Sequence, residues 1–260
     1  MQSTHEQSAA AAAALSANAR PQRSELSRIW RRFRRHRLGL AGLTFIGLLV
    51  VTALLADVLA PYSPIQSVSG MRGVGPSWSH PLGFDHIGRD ILSRIIFGTR
   101  IALIVGLGAT GIAVTIGVLV GATAGYFGGW VDNLLSRAVD TLMAFPTLVL
   151  LIALTAVVGP SLRTVVIVIG ATVWAQYARV VRADTLSLRE RDFTLAARVA
   201  GATNTRIILR HLVPNVLGPV IVLASLAVGG IIIYESTLSF LGLGIQPPEP
   251  SWGGMLADGR

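Results

Sequence analysis

Four side chains able to do chemistry fall in one short block, His80, Asp85, His86 and Asp90. As nitrogen and oxygen donors in a loop they could ligate a metal ion. The competing reading is loop architecture, with Asp90 as the N-cap of the helix that follows. Three further acids, Asp57, Asp140 and Glu235, stand beside long apolar stretches. A proton relay would need them deep in a bilayer and paired. Near the ends of spans they would anchor the interface or line a pore instead. His211, in an arginine-rich stretch, reads as a polar side chain rather than a catalyst. What is missing narrows the chemistry further. All 22 basic residues are arginine and the chain has no cysteine. A nucleotide-binding P-loop needs its lysine on the phosphates, so none of the ordinary kind is present. Schiff-base chemistry goes with it, as do disulfides, thiol nucleophiles and sulfur-ligated zinc.

The elements that would position these groups are membrane spans. Of 260 residues 52% are apolar and only 13% charged, with a mean hydropathy of +0.62; soluble folds carry about 25% charge. The net charge of +9 does not point to nucleic acid, because the arginines flank apolar stretches as cytoplasmic loops require. Residues 1–27 read as a disordered tail. A basic flank containing Arg28, Arg31, Arg32, Arg34, Arg35 and Arg37 leads into a first span, so that 28–60 form one unit. That span, about Leu38 to Ala60, is too long for a signal peptide. Residues 61–100 read as an extracytoplasmic loop followed by an interfacial helix over Ile91–Phe97.

The core covers 101–260. Its spans are expected at about Ile101–Ala124, Ala138–Val158 with a kink at Pro146, Leu162–Val181 and Pro214–Tyr234. Gly117, Gly121 and Gly125 recur every four residues and form a smooth stripe for close helix packing. Placing the amino terminus inside puts sixteen arginines inside and six outside, as the positive-inside rule prefers. Five spans would leave the other end outside.

The segment 182–213 is too long and too patterned for a bare connector. Thr185–Ala200 can form a helix, Gly201 a left-handed stop, and Thr203 or Asn204 the cap of a second short helix, Thr205–Leu212. Pro214 then sits near the start of the last span, where its missing N–H costs little. The product is a helix–glycine–helix elbow with an apolar side, ringed by arginine. It could fit a groove in another protein, or lie solvated near anionic headgroups.

At these residues the chain resembles a family. Leu195-Ala196-Ala197, Gly201 and His211-Leu212-Val213-Pro214-Asn215 look like the EAA loop of ABC-importer permeases, with leucine where the name puts glutamate. His80-Pro81-Leu82-Gly83-Phe84-Asp85-His86-Ile87-Gly88-Arg89-Asp90 resembles the HPLGTDxxGRD block of peptide and nickel importers, with Phe84 for threonine. The run Glu235 to Pro248 resembles that subfamily's ExxLSFLGLGxQPP block. The three occur in family order, and the resemblance covers about residues 28 to 260. They point to the second permease subunit of a dipeptide/oligopeptide/nickel-type importer.

The resemblance implies an all-α, polytopic transmembrane helical bundle of the type I ABC importer permease kind. It implies multi-pass residence in a bacterial inner membrane, among lipids, with the amino terminus cytoplasmic. The chain would form half of a translocation path for peptides or related small solutes. The other half would be a second homologous permease subunit; two ABC ATPase subunits and an extracytoplasmic solute-binding protein would complete the machine. The permease would be no enzyme and hold no metal or cofactor, ATP being bound by its partners. Leu195, Ala196, Ala197, Gly201, His211 and Pro214 would form the ATPase-coupling loop. Glu235, Ser239, Phe240, Gly242 and Gly244 would pin an outer segment at the pore mouth. Such permeases continue past a segment like Ser251–Leu256 into a final span, which is expected to be missing here. The rival class is a proton-coupled secondary transporter, which should show internal repeats or intramembrane charges.

Overall fold

The computed structural model describes Trp30, Phe33, Arg34 and residues 36–259. The tail 1–27 and most of the basic flank lie outside the described residues. The chain falls into two compact units, Met1–Leu49 and Val50–Arg260. The described residues contain no strand, only helices and loops. Helix α1 is Arg37–Leu54, with a short α2 at Ala56–Leu59. At 1.5 Å per residue the 18 residues of α1 reach about 27 Å, close to the hydrocarbon thickness of a bilayer.

Loop 60–90 leads into α3, Ile91–Phe127, which is capped by Asp90 through the Ser93 N–H. The interfacial helix expected at Ile91–Phe97 is not separate. It forms the first turns of a 37-residue helix, about 55 Å long and too long for the hydrocarbon core alone. The expected third span is broken rather than kinked. Helix α4, Gly129–Ala144, and α5, Thr147–Val158, meet at 90° across Phe145–Pro146. Proline forces the residue before it into extended backbone, and Phe145 has φ −91° and ψ 139°.

Helix α6, Leu162–Leu188, is capped by Ser161 and runs past the expected end at Val181. The helix expected over Thr185–Ala200 is divided between the end of α6 and a short α7, Asp192–Val199. The second elbow helix and the last span are one element, α8, Asn204–Phe240. It widens into a π turn at Ile207–Leu212, immediately before Pro214. Proline cannot donate to the regular ladder; Val213 N–H reaches back to Ile208 O, and the Asn215 amide donates to His211 O at 2.6 Å. A final short helix, α9, spans Trp252–Asp258.

Four of these helices, α3, α5, α6 and α8, share one core that includes Val105, Ala109, Leu151, Ile169, Tyr177, Val216 and Leu238. Apolar burial does not drive helices together within lipid, so close approach depends on small side chains. The glycine stripe supplies it. A Cβ on Gly117 would lie 2.5 Å from Tyr177 Cβ, one on Gly121 2.5 Å from Ala178 O, and one on Gly125 2.7 Å from Thr185 Cβ. From the other side, a Cβ on Gly170 would lie 2.7 Å from Ile112 Cβ. Contact numbers rise together along both helices, so α3 and α6 run parallel. The chain must therefore return between them, through α4 and α5.

Candidate functional site

The elbow is built by a glycine stop. Gly201 has φ +77°, a region that costs other residues energy. Its N–H donates to Arg198 O at 3.0 Å, and Ala202 N–H donates to Ala197 O at 3.1 Å. That pair of bonds is a Schellman motif, satisfying the last carbonyls of α7. Thr203 then caps α8 through the Arg206 N–H. Thr194 is wholly buried, and its hydroxyl donates to Leu188 O at 2.8 Å, closing the turn between α6 and α7.

The elbow is also tied to the bundle. Tyr126, in the last turn of α3, packs with Ile207 and Leu212 against Ala197, Ala202 and Leu188. Its hydroxyl donates to Asn204 Oδ1 at 2.8 Å, and the Arg198 guanidinium lies 5.7 Å from its ring centre. Arg189 donates to Gly125 O. Of the predicted loop residues, Ala197 faces this anchor. Leu195, Ala196 and Gly201 face out, with Phe193 and with Val199 at 89% exposure. His211 is half-buried and offers its carbonyl to Asn215, while exposed Pro214 begins the regular part of α8. Tyr126 and Thr194 escape sequence reasoning as parts of the elbow, and Asn204 enters it only as an alternative cap. The distance of Tyr126 from Asn204 in sequence gives no signal of their contact.

At the far end of α8 a second glycine stop repeats the geometry. Gly242 has φ +78°. Its N–H reaches Ser239 O and Leu243 N–H reaches Leu238 O, at 3.0 and 2.9 Å. Glu235 is 1% exposed. It accepts hydrogen bonds from Ser239 Oγ at 2.7 Å and from Ser236 Oγ at 3.3 Å. Ser239 Oγ in turn accepts from Ile245 N–H at 3.1 Å. The carboxyl therefore holds the segment after α8 against the last turn of that helix. Gly244 lies flush on Ser239, where a Cβ would fall 2.5 Å from Ser239 Cα. Phe240 is partly buried on the same turn. Helix α9 covers this corner from outside, because Gly253 packs on the Ser236 backbone. Trp252 Nε1 donates to Ile95 O at 3.2 Å, against a face of α3 that Gly98 leaves open.

The block 80–90 folds into a charge network. Arg89, 3% exposed, donates to Asp85 Oδ2 at 2.6 Å and to Asp258 Oδ2 at 3.1 Å. Arg94 stands 3.6 Å from the first carboxylate and 3.8 Å from the second. Burial alone would raise the Asp85 pKa. Hydrogen bonds from the Arg89 N–H and guanidinium and from the Ile87 N–H outweigh it and hold the carboxyl below its usual range. Asp90 behaves alike. Burial pushes it up, but the Ser93 N–H, His80 and the Ser93 hydroxyl bring it below its usual value. His80 Nδ1 lies 2.9 Å from Asp90 Oδ1, with its ring stacked on Tyr62.

Asp85, His86 and Asp258 bring ligand atoms within 4.8 Å of one another, yet both carboxylates already face guanidinium groups. Arg89 engages both carboxylates as loop architecture, and Asp258 joins the network from a distant part of the chain. The remaining acids are also engaged. Asp57 pairs with Arg100 at 2.7 Å. Asp140 pairs with Arg179 at 2.7 Å.

A bundle of long apolar helices, glycine-packed and parallel at its centre and with one broken crossing, has the form of a polytopic membrane protein. The comparisons make the class specific. The chain matches the family described as binding-protein-dependent transport system inner membrane component over residues 117–259. It matches the N-terminal TM domain of oligopeptide transport permease C over 24–76. It is 42% identical over 223 residues to the dipeptide transport system permease protein DppC of Alkalihalophilus pseudofirmus, covering 84% of this chain and 73% of that one. It is also 42% identical over 221 residues to the oligopeptide transport system permease protein OppC of Haemophilus influenzae, covering 84% and 71%. The fold resembles an inward-facing structure of the MetNI methionine ABC transporter, with a TM-score of 0.50 and 19% identity over 62% of this chain and 77% of that one. The chain belongs to the binding-protein-dependent inner-membrane permeases of ABC importers. It is a membrane component of such an importer and not its ATPase.

Proposed function

We propose that this permease carries peptides or chemically related small solutes, and that the elbow 189–206 is where ATPase subunits push on it. The relatives named as dipeptide and oligopeptide permeases support the substrate class. The observation that carries the coupling role is the elbow's construction. An apolar face of Phe193, Leu195, Ala196 and Val199 projects outward, while the opposite side is fixed to Tyr126. A rigid lever with an unpartnered grip is what force transmission from another subunit requires. A second homologous permease, two ATPases and an extracytoplasmic binding protein complete the assembly. The elbow and the amino terminus face the cytoplasm, and the corner at Glu235 lies at the outer mouth.

The test is co-expression with candidate ABC ATPase subunits. Gly201→Pro cannot adopt φ +77° and loses the N–H bonded to Arg198 O. It is expected to insert into the membrane normally and to lose co-purification with the ATPases. Undiminished co-purification removes the coupling reading. Mass spectrometry of ligands on the associated binding protein reads the solute class, and finding no peptide-like ligand removes that part.

A further inference from the structure

Helix α4 differs from its neighbours in how it is held. It begins at two successive left-handed glycines, Gly128 and Gly129, with φ +65° and +55°. It ends at the 90° break of Phe145–Pro146. Both joints are places where the backbone can turn. Between them only Val139 is buried, against Ala175 and Ala178 of α6. No glycine seam or long apolar ridge fastens α4 as one fastens α3 to α6.

Two ion pairs add to that small apolar contact. Arg182 grips both carboxylate oxygens of Asp132, through Nε on one and Nη2 at 2.6 Å on the other. Ser136 donates to the same carboxylate at 3.1 Å. Near the other end of α4, Arg179 holds Asp140 at 2.7 Å. Beneath these pairs the packing stays incomplete. A cleft of about 240 Å³ lies between the helices, lined by Val120, Gly121, Leu135, Val139 and Ala178 among others. Asp140 and Arg179 are mostly exposed, and exposed pairs contribute little. The Asp132–Arg182 pair, bidentate and partly buried, is the stronger restraint.

We infer that α4 is a movable strap on the elbow side of the bundle, latched to α6 by Asp132–Arg182 and Asp140–Arg179, and that transport requires the latch to open. The latched partner is well chosen for this. Helix α6 runs without interruption into the elbow, where Arg189 N–H bonds Thr185 O and the Thr194 hydroxyl bonds Leu188 O. Displacement of the elbow therefore acts directly on Arg179 and Arg182. The inference rests on the transport reading above and adds to it the element that moves and the pair that holds it.

The chain's lack of cysteine makes the test clean on this subunit. Val139→Cys with Ala178→Cys places two thiols in one small apolar contact between α4 and α6. The doubly substituted permease, reconstituted with its ATPases and binding protein, is joined by a short reducible thiol cross-linker. ATP-driven uptake is expected to be lost on cross-linking and restored by reduction in the same vesicles. Uptake retained by fully cross-linked permease overturns the strap. A second readout needs no cross-link. Asp132→Asn should leave the complex assembled and raise thiol labelling at Ala178→Cys about tenfold, as loss of about 1.4 kcal/mol of restraint requires. Unchanged labelling overturns the latch. If the native complex shows no ATP-driven uptake at all, the transport reading fails, which the comparison within one vesicle preparation separates from failure of the strap.

Discussion

Replacing Gly121 by alanine adds one methyl group where α3 and α6 lie in close contact. That carbon would stand 2.5 Å from Ala178 O, 2.8 Å from Val181 Cβ and 3.0 Å from Arg182 N. Carbon contacts are comfortable at about 3.5–4.0 Å, so the helices must part by about 1 Å. Two of the three neighbours are backbone atoms and cannot rotate away. A gap of that size forfeits a quarter to a half of the dispersion energy of each contact it opens. The gap would open beside Gly117 and Gly125 as well. Overpacking costs about 1–3 kcal/mol, and the rigid neighbours place Gly121→Ala at the upper end, about 3 kcal/mol. Gly111, on the same helix, is the matched control. Its Cβ would meet nothing within 4 Å, and removing a helical glycine there should gain up to about 1 kcal/mol. Unfolding of the purified permease in mixed detergent and dodecyl sulfate measures both. Equal stabilities for the two variants refute the seam.

The corner at the end of α8 depends on its carboxyl. Glu235→Leu removes the acceptor for Ser239 and should cost about 1–3 kcal/mol, whereas Glu235→Gln, which retains one acceptor oxygen, should cost less. Faster amide exchange at Ile245 in the leucine variant reads the effect, and unchanged exchange there counts against it. Asp85 and Asp90 have pKa values below those of an unfolded chain. Groups shifted this way contribute stability that is fully present above the unfolded value, about 3.9, and lost as pH falls through the lowered folded values. Protection of residues 83–94 in hydrogen exchange, corrected for intrinsic rates, should hold from pH 7 to about 5 and decline below about 4. Protection that falls between pH 7 and 5 would assign the loop's stability to other groups.

Local signals in the sequence carried much of this architecture. A glycine after an amphipathic stretch followed by threonine announces a helix stop and a cap, and Gly201 and Thr203 do that work. An aspartate before an apolar periodic run announces an N-cap, and Asp90 is one. Repeating glycines announced a close approach, though not the helix approached. Boundaries were less legible because apolar residues continue through them. Nothing in Ile91–Phe97 separates an interfacial helix from the first turns of a long one, and Pro146 is compatible with a mild kink or a right angle. Charge pairing was least legible. Asp132 and Arg182, or Arg89 and Asp258, lie far apart in sequence and meet only after the bundle has formed.

The glycines of α3 and its exit perform opposite mechanical tasks, and the difference lies in what surrounds them. Gly117, Gly121 and Gly125 lie in regular helix with a neighbour's backbone where a side chain would be. There the missing Cβ permits contact along the whole seam, and contact makes α3 and α6 one stiff body. Gly128 and Gly129 follow within one turn, but take positive φ at the helix exit. A Cβ on Gly129 would meet nothing, and one on Gly128 would meet only the Arg189 side chain. There the missing Cβ gives the backbone freedom rather than packing. A stiff pair thus ends at a joint, and the joint leads into α4, where two ion pairs add to one small apolar contact at Val139. Apolar seams resist sliding over their full length, whereas two ion pairs can be released singly at modest cost where water reaches them. An importer has to join a body that transmits force to an element that yields to it, and in this chain both are set within thirteen residues of α3 and its exit, from Gly117 to Gly129.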